Sequence, residues 1–84
     1  MPAISSFYGI VIYMYFLGKE HNPSHIHAYY GTNNAIISIK TGKIIDGRLP
    51  RNALKLIKRW LKIHREELET MWDSQVFKKV APLE

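Results

Sequence analysis

Cysteine is absent from the 84 residues. That absence removes disulfides, thiolate metal ligands and a thiol nucleophile together, and it points to a reducing, cytoplasmic setting. Long apolar runs are missing as well. The most apolar stretch, Phe7 to Leu17, is too short to cross a bilayer, and no Lys or Arg precedes it as the n-region of a signal peptide. It is therefore expected inside the fold, with no membrane partner. Repeats, linkers and low-complexity tracts are missing too, so the chain reads as one continuous domain, 1–84, of a size at which buried surface is scarce. Acid is the remaining shortage, with 7 acidic against 12 basic residues. From Arg48 to Arg65 there are seven Lys or Arg and no acid, whereas four of the acids fall between Glu66 and Asp73. A concentrated positive region of this kind attracts polyanions or an acidic protein surface.

What is present reads first as strands. The uncharged, Pro-free run after Phe7 would aggregate as an exposed edge, so a paired interior strand is expected over 10–16. Ile4 to Phe7 reads as an extended lead-in. Asn22 and Pro23 punctuate a loop from Gly18 to Ser24. A second strand over 25–30 puts His25, His27 and Tyr29 on one face and Ile26, Ala28 and Tyr30 on the other. After a turn at Gly31 to Asn34, a third strand over 35–39 and a fourth over 43–46 flank a tight hairpin at Thr41 and Gly42. The expected sheet is a four-stranded antiparallel meander in an α+β fold.

The period then changes. Pro50 supplies a preset φ at a helix start. At 100° per residue, Arg51, Lys55, Lys58, Arg59, Lys62 and Arg65 fall within an arc of about 120°, opposite Ala53, Leu54, Leu56, Ile57, Trp60, Leu61 and Ile63. Leu68, Met71, Trp72 and Gln75 continue the apolar side. An unbroken helix to Phe77 would span about 40 Å, so the pattern predicts either one long helix or, preferably, a kinked pair over 51–64 and 65–77. The apolar side should cover one face of the sheet. The basic side is either simply solvated or, because its like charges repel mildly without interspersed acids, the binding surface for an anionic partner formed by Arg48, Arg51, Lys55, Lys58, Arg59, Lys62 and Arg65.

The densest chemistry lies in E-H-N-P-S-H-I-H, Glu20 to His27. Residues two apart on a strand point the same way with Cα atoms about 6.5 Å apart, so His25 and His27 converge. Three readings stay open. The imidazoles are structural. They divide general base and general acid roles at a phosphodiester, since a pKa near 6.5 leaves both forms populated around neutrality, with Arg48 or Arg51 steadying the phosphate. Or His21, brought round by the turn, joins His25 and His27 around zinc or another transition metal, with Glu20 or Asp46 fixing tautomers. Apart from that metal, the residues imply no cofactor. His64 lies on the apolar side of the helix and should point toward the sheet, either as a local hydrogen-bonding group or in a common pocket with the others. Tyr13, Tyr15, Tyr29 and Tyr30 serve either packing or stacking. Helices on one side leave the other sheet face uncovered, for a partner protein or a second copy to cover in a homodimer.

The opening M-P-A-I-S-S-F-Y-G-I, the central H-N-P-S-H-I-H-A-Y-Y-G, the L-P-R-N-A-L before the basic helix, and W-L-K-I-H-R-E-E-L followed by Trp72 together resemble the small bacterial family called domain of unknown function 4160. The similarity runs through nearly the whole chain in order. Members usually carry a second proline where this chain has Ser24. The resemblance implies no reaction; it implies genes that often neighbour a second small gene, sometimes encoding a helix-turn-helix, in an arrangement similar to toxin-antitoxin pairs. By that analogy the chain would be the toxin-like or partner-binding member. The alternatives are a metal-independent ribonuclease using His25, His27 and Arg51, and a metal-binding module through His21, His25 and His27.

Overall fold

The computed structural model describes residues 3–15 and 23–83. Five antiparallel strands are followed by one helix: β1 Ser5–Phe7, β2 Ile10–Tyr13, β3 His25–Tyr30, β4 Asn33–Ser38, β5 Ile44–Arg48 and α1 Arg51–Ser74. Neighbours in sequence are neighbours in the sheet, so the order β1 to β5 is a meander. The expected class holds, with two corrections. The lead-in before Tyr8 is itself a strand, because Tyr8 (φ 49°) and Gly9 (φ 80°) close a two-residue turn with positive φ at both positions, the twist that matches a right-handed hairpin. Phe7 then pairs with Ile10 and Ser5 with Ile12. The second correction concerns the helix, which runs unbroken through the expected kink between His64 and Glu67 and ends at Ser74. Its end is set locally: Gln75 takes a left-handed conformation (φ 58°), its N–H donates to Met71 O, and its side-chain amide donates to Trp72 O at 2.7 Å, satisfying carbonyls that a helix end leaves without partners.

Strand bounds differ by a few residues from the expected ones. The last pair shifts because Ile36 pairs with Asp46 and Ile37 with Ile44, which leaves Ile45 as the extra residue of a bulge. Phe16, and with it the end of the first expected strand and most of the following loop, lies outside the described residues.

Alternation decides the faces. Phe7, Ile10, Ile12, Met14, Ile26, Ala28, Ala35 and Ile37 are buried and form one cluster with Ala53, Ile57, Trp60, Leu61, Leu68, Met71 and Trp72 of α1. The apolar side of the helix thus seals the face opposite His27 and Tyr29. The segment after α1 closes the β1 end: Val80 N–H donates to Ile4 O at 2.7 Å, Trp60 Nε1 donates to Ala81 O at 2.8 Å, and Val80 and Leu83 are buried.

Glu67 tethers the same segment, with Lys78 Nζ at 3.0 Å and His64 Nδ1 at 3.2 Å. The hydrogen bond from Lys78 holds the Glu67 carboxyl below its ordinary value, with help from His64 and against a smaller effect of burial. A carboxylate whose pKa is depressed on folding stabilises the fold above its unfolded value, here about 4.5, and the contribution is lost as the pH falls through the folded value. The Glu67→Gln variant is therefore expected to unfold slightly more easily than the parent at neutral pH, and the two urea midpoints to converge under acid. A gap that persisted once acid had protonated the carboxyl would show that the charge is not the source.

Candidate binding surfaces

Two surfaces carry the residues singled out by the sequence. The first is the exposed side of α1. Arg51, Lys55, Lys58, Arg59 and Lys62 are all exposed, and among the described residues none of them makes an ion pair. Arg65 differs from the others in the arc, being half-buried, with its Nε donating to Ile39 O at 2.9 Å. It fastens the helix to the end of β4 and is not a free cation of the stripe. Arg48, the last residue of β5, is exposed beside Asn34.

The helix gains nothing locally from this placement. Its first turn holds no acid and its last turn no base, whereas the macrodipole favours acids at the start and bases at the end. Neighbouring cations three and four residues apart repel by a few tenths of a kcal/mol per pair. An arrangement that is mildly unfavourable in the isolated protein becomes favourable against an anionic surface.

The second surface is the sheet face away from α1. Register places Val11, Tyr29 and Asn34 in one row across it, Tyr13, His27, Ile36 and Asp46 in the next, and His25 with Ser38 in a third. The aromatic rings form a ladder: Tyr29 meets Tyr13 edge-on at 5.3 Å, Tyr13 stacks with Tyr15 at 6.3 Å, and Tyr15 meets His27 at 4.4 Å. His25 continues it, 5.3 Å from His27 and 4.7 Å from Trp72 of α1. Sequence reasoning put His25, His27 and Tyr29 on one face, as observed, but missed this continuity. Its signal was the period-2 recurrence of Tyr and His in two adjacent strands.

The candidate histidines are brought together only in part. His25 and His27 are adjacent, yet His25 is 6% exposed and its Nδ1 engages Pro23 O at 2.8 Å. Arg48 stands opposite Asn34, two strands from β3 and toward its far end, about 10 Å or more from either imidazole at ordinary strand spacing. Arg51 follows on the helix, so the sheet does not set a guanidinium beside the pair. His64 is elsewhere, against the Trp60 ring at 5.5 Å and bonded to Glu67, which separates it from the common pocket. His21 and Glu20 lie outside the described residues. Among the described residues, no three His, Cys, Asp or Glu side chains gather as a metal would require. Beside His25, a cleft of about 570 Å³ is lined by Pro23, Ser24, Lys40, Glu69, Trp72 and Asp73, and its two carboxylates mark where the cationic stripe ends.

No helix among the described residues is long and apolar enough to cross a membrane. The described residues form a small α+β domain with a cationic helix side and an aromatic sheet face. Residues 9–73 match the family described as Domain of unknown function (DUF4160), and the chain belongs to it. No curated protein and no solved structure matches.

Proposed function

We propose that this protein is the partner-binding, toxin-like member of a two-gene module of toxin-antitoxin type, and that it grips an acidic surface of a cognate small protein with the cationic side of α1. One observation carries the reading: five exposed Lys or Arg, from Arg51 to Lys62, share one helix side without an ion-pairing acid among the described residues. The helix is held by its other side, so the cations are dispensable to the fold. Co-expression with the product of the neighbouring gene tests this. The wild-type chain should co-purify with that product, and the Lys55→Glu, Lys58→Glu, Lys62→Glu variant should not. Equal recovery of both would overturn the reading, and recovery of nucleic acid in place of protein would reassign the stripe.

The adjoining rings of His25 and His27 support a second reading, a metal-independent ribonuclease. Its test is incubation with RNA in chelator beside a His25→Ala, His27→Ala double variant, and equal cleavage by both proteins would end it.

A further inference from the structure

From its first turn to its last, the exposed side of α1 carries Arg51, Lys55, Lys58, Lys62, Glu66, Glu69 and Asp73, four cations followed by three acids. Steps of three and four residues keep all seven within an arc of about 80°. All are exposed except Glu69, which is half-buried. Both blocks stand at the unfavourable end of the helix dipole. A second helix lying antiparallel would reverse that penalty, because each block would then meet its opposite and the two dipoles would oppose.

The order is also symmetric in position. Arg51 and Asp73 are equally distant from Lys62 along the chain, as are Lys55 and Glu69, and Lys58 and Glu66. An axis through Lys62 therefore sets each of the other three cations over an acid of the other copy, and each of the three pairs occurs twice, as a two-fold contact requires. At the change of sign, Lys62, Ile63, Arg65, Glu66 and Glu69 line a shallow groove, and Ile63 flanks it with 66% of its surface exposed.

We propose that α1 pairs antiparallel with α1 of a second copy, about a two-fold axis at Lys62. The pairing needs no partner protein and so stands independently of the module assigned above, although the same cations serve both. A second copy covers the stripe until a more acidic surface displaces it. Exposed ion pairs are individually weak and screened by salt, and the axis sets one Lys62 against the other, so the dimer is weak and confined to low ionic strength.

Sedimentation equilibrium of the full chain tests the proposal. At about 20 mM salt, where the screening length is about 20 Å, a concentration-dependent dimer is expected, and at about 500 mM salt a monomer. Lys55→Glu alone and Glu69→Lys alone should each weaken the dimer about tenfold, since symmetry makes every like-charge contact occur twice. Mixing the two single variants should restore it, because each copy then supplies the charge the other lacks. Lys62→Ala should tighten the dimer, whereas loss of a cation would weaken capture of an acidic partner. A monomer under all these conditions, or a dimer indifferent to the reversals and therefore formed through another face, overturns the proposal.

Discussion

Replacing Gly47 by alanine is expected to destabilise the protein by at least about 3 kcal/mol, a large share of the ~5–15 kcal/mol that holds a small domain together. Gly47 sits in β5 with φ +84°, a conformation that side-chain-bearing residues rarely adopt. A Cβ there would also collide with the carbonyl oxygen of Asn34 and stand 2.9 Å from Ala35 Cα. These are backbone atoms of the adjoining strand β4, so no side chain can swing aside, and β5 must move away from its partner. The Gly47 N–H bond to Asp46 Oδ1 at 2.9 Å would be disturbed by the same movement. A chain of this length should lose on the order of 10–20 °C in Tm, read by circular dichroism. A variant melting within about 2 °C of the parent would show that β5 yields freely.

Truncating Trp60 to alanine is expected to cost about 3–5 kcal/mol, the range for an aromatic residue lost from a core. Trp60 is fully buried, its ring lies 5.5 Å from Phe7 of β1, and its Nε1 holds Ala81 O. One residue thus joins the helix, the first strand and the C-terminal segment. Trp60→Phe separates these roles, since it keeps most of the ring and loses the hydrogen bond. That variant should cost about 1–2 kcal/mol and should accelerate hydrogen exchange of the Val80 amide, which bonds Ile4 O, more than that of β3 amides. Uniform acceleration would mean that the C-terminal segment is held by something other than this indole.

Much of this architecture was legible beforehand because two periods are clean. Alternation in His25 to Tyr30 fixed both strand bounds and both faces, and the 3.6-residue period from Arg51 onward separated the side that became core from the side that stayed exposed. Three features escaped. β1 is only three residues long, and its turn uses Tyr8 at positive φ, which residue preference does not signal. The choice of one unbroken helix over the kinked pair was not legible, because His64 and the acids after it interrupt the basic pattern without interrupting the apolar one that Leu68, Met71 and Trp72 carry on. The C-terminal segment escaped because Val80 and Leu83 lie among Lys, Ala and Pro with no period, and its burial rests on the Ile4 carbonyl just before β1 and on Trp60 Nε1 of α1. The cationic stripe was legible as charge, except at Arg65, whose tie to Ile39 O depends on where β4 ends.

The proposed function requires α1 to have two separable sides, one that builds the fold and one left for a partner. Urea unfolding of the Lys55→Glu, Lys58→Glu, Lys62→Glu variant tests it most directly. The midpoint should be unchanged, or raised by the equivalent of a few tenths of a kcal/mol as repulsion and the dipole mismatch are relieved, with the m-value of the parent. A loss of about 2 kcal/mol or more would contradict it, because the cations would then be part of what holds the helix to the sheet.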